Sequence, residues 1–548
     1  MMKKRIAMRI SAALVAAATL FGVAACGNSS ANSSSGSASS SELLLGGDSG
    51  TPTFVKNFNP FATNKRVGTN YIYEPLMVMN PVDGKMSPFL AKSYKVVDSK
   101  TVQYTLRDGV KWQDGKALTT DDVLFSFNLM KKYAALDSLG VWQRMSDISA
   151  SGDVITIKFK TDDVPAVSIV SQQLIVPEHI WKDVKDPVKW TNTDPVGTGP
   201  YKVGTFNPNQ YTMTKSTTYW QANKVAAATL VLPASNTQMD IVSKGYDWAY
   251  AYMTDVKKTW LSKNSKNAYW FPAAGVISLY PNLTKAPFND VNFRQGLNYA
   301  LDRDAIAKNA EEGYMDSAGQ NGLILPGQND WVSSDIPNKG KITQSTKTAL
   351  EYFKKAGYTQ QDGKLVDSSG KQVELTITTA NGYSDWLRGV QTVQKQLSAI
   401  GISVKLTQPQ PAAYNQALNN GDFDLAVGGF GGNGSVYQAY NTLLNSEYAL
   451  PVGTATTSNF QRYKNADVDT LLTKFRATTN TSDQKEIINQ LQKVVYNEVP
   501  VLAMFYGGSW GLFNSDKFTG WPSEDDPYSL PVPYAQCSLL ILTHLKKA

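Results

Sequence analysis

Apolar and polar residues alternate with two distinct periods along this chain, and the switches between them predict its elements. Val102, Tyr104 and Leu106 alternate with Thr101, Gln103 and Thr105, and Ile155, Ile157 and Phe159 repeat the pattern. A period of two is that of a strand with one buried face. Thr119-Thr120-Asp121-Asp122 opens a stretch in which Val123, Phe127 and Met130 share a helical face, with acids where the helix dipole favours them. Thr481 and Gln484 read as a capping box ahead of Ile487, Ile488, Leu491, Val494 and Val495 at helical spacing. Residues 351–356 followed by Gly357 predict a helix closed by a C-terminal glycine. A strand over 373–378, a helix over about 384–399 and a strand over 402–406 form a βαβ unit. From Leu43 onward the elements alternate without long gaps or internal repeat, which makes the chain α/β with added β-rich segments.

The beginning of the chain follows another rule. Lys3, Lys4, Arg5 and Arg9, an apolar run over 10–23 and the pair Ala24-Ala25 precede Cys26. A basic start, a short apolar region and small residues before a cleavage point describe a secretory signal peptide over 1–25. The run is too short and too Ala-rich for a membrane span. Val23-Ala24-Ala25-Cys26 resembles the bacterial lipobox, in which the cysteine is diacylated and becomes the mature N-terminus. Acyl chains anchor a protein in proportion to their buried CH₂ groups, so lipidation at Cys26 implies a membrane-tethered lipoprotein carrying palmitate-type chains. An ordinary signal peptide with an incidental cysteine is the alternative. Residues 26–42 then form a Ser-rich linker, whose tract of Ser, Asn, Gly and Ala cannot bury enough apolar surface to fold.

Composition narrows the function classes. With 548 residues, 42% apolar and 18% charged, the chain describes an ordinary globular protein of more than one lobe. The formal charge of +7 falls by four, to +3, once the basic leader is removed. No basic stripe or nucleic-acid module accompanies it, which excludes nucleic acid as a partner. Only Cys537 remains beyond Cys26, so no intramolecular disulfide is expected. His179 and His544 are the only histidines, too few for a histidine-rich metal site, and no cofactor is expected. The bias lies in the aromatics, 11% of the chain with 12 Trp and 27 Tyr. Such rings fill cores and line sites for the apolar faces of ligands.

A series of short segments recurs in fixed order. Ala91-Lys92-Ser93-Tyr94 leads through the strand at 101–106 to Arg107-Asp108-Gly109-Val110-Lys111-Trp112-Gln113-Asp114-Gly115, read as a Gly-bearing turn with an exposed Trp112, and then to Thr119. Gly197-Thr198-Gly199-Pro200-Tyr201, Pro287-Phe288-Asn289-Asp290-Val291, Arg294, and Tyr299-Ala300-Leu301-Asp302-Arg303 follow. Asp422-Phe423-Asp424-Leu425, Ala466-Asp467-Val468-Asp469 and Val499-Pro500 continue the series. Over about residues 45–515 the chain resembles the bacterial extracellular solute-binding proteins of family 5, the oligopeptide, dipeptide and oligosaccharide binders of ABC importers. The resemblance implies an α/β, two-lobed, periplasmic-binding-protein-like clamshell (type II, cluster C) with an extra domain inserted in lobe one. Mapped here, lobe one takes 43–78, 191–277 and 505–548, the inserted domain 79–190 and lobe two 278–504, with crossings near Tyr280 and Met504 as the hinge. It also implies a monomer that works with permease and ATPase subunits of an ABC importer.

The residues also bear on the solute. Dipeptide-type relatives carry an acid for the ligand ammonium in a Gly-Trp-x-Gly-Asp-x-x-Asp-Pro stretch, because a buried unpaired charge is costly. Here the stretch reads Gly429-Phe430-Gly431-Gly432-Asn433-Gly434-Ser435-Val436-Tyr437, with Asn433 and Val436 at the two Asp positions and Phe430 at the Trp. An Asn both donates and accepts, which suits hydroxyls. Asp247 or Asp385 could replace the missing acid. The terminal run from Thr519-Gly520-Trp521-Pro522 to His544-Leu545-Lys546 resembles the oligosaccharide-binding subgroup, as does Tyr246-Asp247-Trp248-Ala249 leading to Tyr269-Trp270-Phe271-Pro272. Candidate ligand contacts are Trp248, Trp270, Phe271, Trp386, Phe430 and Trp510 as stacking platforms, Asn433 for hydroxyls, and Gly431 for close backbone approach. Peptide is the family default, and these residues favour a neutral short oligosaccharide.

Two readings from other classes stay open. A secreted hydrolase needs paired carboxylates, a Ser–His–Asp set or a metal, and nothing in the sequence singles out such a group. A surface receptor presenting its ligand to a sensor uses the same fold. The expectation is a binding protein without catalysis.

Overall fold

The structure is a computed structural model describing residues 41–48, 51–235, 237 and 239–548. Cys26, the leader over 1–25 and nearly all of the linker lie outside the described residues. The linker ends sooner than expected, because Glu42 already pairs with Thr229 in a parallel ladder.

Two large mixed sheets and one smaller sheet organise the chain. The first has seven strands, in the order Asn267–Trp270, Gly511–Asn514, Trp248–Tyr250, Glu42–Gly46, Thr229–Pro233, Gln210–Lys215 and Tyr201–Asn207. The second has five, in the order Ser403–Thr407, Glu374–Thr378, Leu425–Phe430, Ala273–Pro281 and Leu502–Gly508. An antiparallel four-stranded sheet, Ala91–Asp98, Thr101–Leu106, Val154–Phe159 and Met145–Ser151, packs into the same buried core as the seven-stranded one. This is the two-lobed α/β arrangement, with the four-stranded unit carried by the first lobe. Strand 101–106 buries every second residue, as its alternation requires. The βαβ unit forms with its helix at Ser384–Ala399 and its two strands parallel.

Two expectations about caps and exposure change. Asn480, not Thr481, caps the helix Thr481–Glu498, accepting from the amides of Ser482 and Asp483. Gln484 turns back to the Thr478 carbonyl at 2.7 Å instead. Trp112 is fully buried, not exposed. Its ring nitrogen donates to Asp122 Oδ2 at 3.2 Å, and the same oxygen accepts from the Thr119 amide at 2.9 Å and its hydroxyl at 3.2 Å. Asp122 Oδ1 takes the Glu178 amide at 2.9 Å. One carboxylate thus caps the helix Thr120–Lys132 and ties the signature turn to the segment at Glu178.

The other signature residues are scaffold of the same kind. Arg294 donates to the carbonyls of Phe288, Glu498 and Val499. Arg303 reaches the Ala503 carbonyl at 2.7 Å, locking the helix Arg303–Glu311 to the strand Leu502–Gly508. A guanidinium whose donors meet backbone carbonyls tolerates burial, because each is satisfied.

Both anticipated crossing points, Tyr280 and Met504, lie inside strands of the five-stranded sheet. The chain leaves that sheet at Phe271-Pro272 and again at Ser509-Trp510. Those two segments are bonded together, Ser509 N to Pro272 O at 2.8 Å.

Asp122→Ala strands four buried or half-buried donors and removes a cap. It should cost about 2–4 kcal/mol, read as a lowered thermal midpoint, with Asp122→Asn intermediate. An unchanged midpoint for the alanine variant would show that the signature turn is held by packing alone.

Candidate functional site

Where the five-stranded sheet meets the first lobe, a cavity of about 490 Å³ opens between them. One wall is the turn after the strand Leu425–Phe430. Asn433 adopts the left-handed region at φ +46° and Gly434 at φ +90°, which lets Ser435 cap the helix Val436–Leu444 through the Gln438 amide. A Cβ on Gly432 would lie 1.9 Å from the Ser435 carbonyl oxygen, so only glycine permits this turn. Gly434 abuts Gly84 in the turn at 80–84 opposite. The remaining walls come from Phe61 and Lys65, from Gln172 and Gln173, and from Gln536, with Gln438 beside Asn433. Among the described residues lining the cavity there is no Asp or Glu.

The chain around the cavity is drawn together by contacts across the cleft. Asp163, almost fully buried, pairs with Arg144 at 2.8 Å and with Arg476 from the other lobe at 3.6 Å. The Val164 amide donates to the Arg476 carbonyl at 2.9 Å, and Arg476 Nη2 to Thr161 at 2.8 Å. One carboxylate is shared by guanidiniums of both lobes, so separating the lobes would break the pair with Arg476.

The sequence-derived platforms separate into different places. Trp248 is fully buried, its ring nitrogen bonded to the Pro531 carbonyl at 3.0 Å and its ring 5.6 Å from Trp521. With no exposed face it is a core residue of the seven-stranded sheet, a correction to the expected stacking role. Trp270 and Phe271 are neighbours on an extended segment and therefore face opposite ways. Trp270 packs against the buried cluster that contains Trp248 and Phe513, while Phe271 turns to Trp510, their centroids 4.9 Å apart. Tyr252, Tyr269 and Tyr314 surround that pair. Phe271 and Trp510 therefore cover the two crossing segments. Phe430 is buried in the same cluster. Trp386 is half-buried against Tyr383 and Tyr414. Of the expected residues, Asn433 lines the cavity, while Gly431 lies two residues before it against the Ala274 carbonyl.

The acids also sort out. Asp247 accepts from the Leu44 amide and from Lys517 Nζ, both at 2.8 Å, which leaves it a structural role. Val436, at the second Asp position, is buried in the core. Asp385 is held above the ordinary Asp range by burial. It stands near Glu311, which is 1% exposed and has no hydrogen-bond partner on either oxygen. Burial pushes Glu311 up to about 8, Asp385 adds to the shift, and Arg388 opposes it. Arg388 is itself engaged by Tyr252 at 2.6 Å, Asn309 O at 3.0 Å and Glu312 at 3.7 Å. Of the two histidines, His179 bonds Asp114 at 2.7 Å and His544 stacks on Tyr528 at 4.2 Å. Lys65, Gln173 and Gln536 escaped the sequence reading, since no periodicity or motif marks them and only the fold brings them together.

Comparison with known proteins places these features. A model of the bacterial extracellular solute-binding proteins, family 5 Middle, matches residues 85–449. The peptidoglycan-binding protein YepA of Agrobacterium fabrum is 23% identical over 507 residues, covering 80% of each chain. The periplasmic oligopeptide-binding protein of an oligopeptide ABC transporter from Thermotoga maritima is 25% identical, covers 93% of this chain and 100% of its own, and superposes with a TM-score of 0.83. In complex with mannohexaose it is again 25% identical, with coverage of 93% and 99% and a TM-score of 0.73.

The raised Glu311 fixes the sign of a pH effect. The folded chain holds an extra proton between the ordinary 4.5 and about 8. Its stabilising contribution is therefore full below pH 4.5 and is lost as pH rises through 8. Glu311→Gln, which cannot ionise, should leave stability nearly unchanged at pH 5 and raise it at pH 9 by on the order of 1–3 kcal/mol, read as a higher thermal midpoint. Equal effects at both pH values would refute an ionisable buried carboxyl.

Proposed function

Because the chain belongs to the bacterial extracellular solute-binding proteins of family 5, we propose that it captures an extended oligomeric solute between its lobes and hands it, chemically unchanged, to an ABC permease and its ATPase. The general role, solute binding in transport, is that of its relatives. The observation that carries the site assignment is the cleft cavity of about 490 Å³, a size in the range of small-ligand sites. Its wall is rich in amides and, among the described residues, free of carboxylates. Side-chain amides donate and accept together, as sugar hydroxyls do. A ligand led by a free ammonium would find no counter-charge there. A short oligosaccharide is therefore favoured over an amine-led peptide. The mannohexaose complex of the Thermotoga maritima protein supports that choice, and its description as oligopeptide-binding keeps peptide as the competing ligand.

Lobe closure fits the same reading. We place the pivot at the bonded crossings Phe271-Pro272 and Ser509-Trp510, with lobe one, its insert and lobe two otherwise divided as the family pattern implies. A solute that touches both walls shifts the equilibrium toward the closed form by its differential affinity for the two forms. The leader and Cys26 are read as export and lipid tethering of a monomer on the outer face of the cytoplasmic membrane. No helix among the described residues is long and apolar enough to cross a membrane.

The ligand class is decided by titrating the full-length protein with cello-, manno- and xylo-oligomers beside di- to pentapeptides, with small-angle scattering to follow compaction. We expect oligosaccharide binding with a smaller radius of gyration. Peptide binding that disappears on blocking the amine would reverse the preference. Cys26→Ala should move the protein from membranes to the soluble fraction, and retention on membranes would contradict tethering through that residue.

A further inference from the structure

Resting on the reading of this cavity as the solute site, we infer that Lys65 makes it select solutes bearing a carboxylate on an otherwise uncharged chain. Other cations among the described residues show what sets Lys65 apart. Lys56 pairs with Asp194 at 3.4 Å, Arg66 with Asp48 at 3.7 Å, and Lys517 with Asp247 at 2.8 Å. Lys65 lines the cavity with no ion pair among the described residues. Its one bond is from Nζ to the neutral carbonyl of Pro60 at 2.6 Å, which leaves two ammonium hydrogens unspent.

A second group lining the cavity has the same need. The Gln536 amide nitrogen is buried and has no acceptor. Of the neighbouring glutamine amides, Gln173 spends one hydrogen on the Leu174 carbonyl at 3.1 Å and Gln172 one on that of Ser168 at 2.9 Å. The cavity therefore holds unspent donors without a protein carboxylate to receive them. Burial lowers the Lys65 ammonium to about 8, with no counter-charge to oppose the shift. A carboxylate supplies the charge for Lys65 and, through its second oxygen, an acceptor for an amide. A free ammonium on the solute would meet repulsion instead. Uronic or aldonic acids at one end of an oligosaccharide have this chemistry, and so does the C-terminus of an amine-blocked peptide.

The test uses matched probes on the full-length protein at low ionic strength: cellotriose against cellotrionic acid, and N-acetylated tripeptides with free against amidated C-termini. The acidic member of at least one pair should bind about tenfold tighter. Lys65→Met should abolish that preference, bringing the affinities of the two members of the pair within about twofold of each other, and Lys65→Arg should keep it. Lys65→Gln serves as a second neutral variant if the methionine change lowers the thermal midpoint. Equal affinity within both pairs, or a preference that survives in Lys65→Met and Lys65→Gln, overturns the role of Lys65 and leaves solute binding standing. Failure of every probe and of the neutral oligomers to bind or compact the protein overturns the site itself.

Discussion

The structure depends on one pairing. The strands Ala273–Pro281 and Leu502–Gly508, distant in sequence, lie side by side in the five-stranded sheet. Their far ends lead to the only two segments by which the polypeptide passes between the large sheets beyond residue 270. Because the strands are hydrogen-bonded, the crossings are held adjacent, and the bond from Ser509 to Pro272 closes the gap. Two parallel tethers permit rotation of one lobe against the other while resisting their separation. Phe271 and Trp510 ride on those tethers, packed edge to face within a cluster of tyrosines. Their burial excludes water from a joint whose backbone groups would otherwise need it. Two of the rings expected to hold a ligand thus pack over the crossings proposed as the pivot.

Electrostatics divide the cleft into regions of unlike character. Around Asp163 two guanidiniums from opposite sides share one buried carboxylate. Near Arg388 the balance reverses, with Glu311, Glu312 and Asp385 crowding one cation whose donors are largely committed. In the cavity beside Asn433, side-chain amides stand among apolar side chains, and Lys65 is the sole charged residue among the described lining. Isolated charges in a poorly solvated place are tolerated when a partner arrives with the ligand, because the desolvation cost is then offset at the moment of binding. A fold that leaves such groups unpartnered on its own invites an occupant that completes them.

Much of the scaffold was legible from local pattern. The alternation at 101–106, the βαβ unit with its helix at Ser384–Ala399 and the glycine-closed helix Thr346–Lys355 all follow from periodicity and backbone preference. These are contacts between near neighbours in sequence, where a period of two or 3.6 carries the information. Errors arose where a side chain had two local options. Thr481 and Asn480 both make good caps, and Asn480 takes the role while Gln484 bonds the Thr478 carbonyl. Trp112 was assigned to the surface because turns are exposed, but Asp122 draws its ring nitrogen inward. Of the site, only the Gly431–Ser435 turn was visible, through its glycines and the Asn at position 433.

What the sequence alone determined was the family, the α/β fold and the loss of the usual carboxylates at 433 and 436, since these rest on residue identity at spaced positions. Which aromatics are accessible, and which polar groups share a wall, was decided only by tertiary structure. Trp248, Phe271 and Trp510 look alike as candidates along the chain, yet their burial depends on strands more than 200 residues apart. Lys65, Gln173 and Gln536 meet at one cavity through segments remote from one another. Contacts of that kind arise from how sheets and crossings pack, and no short-range period encodes them.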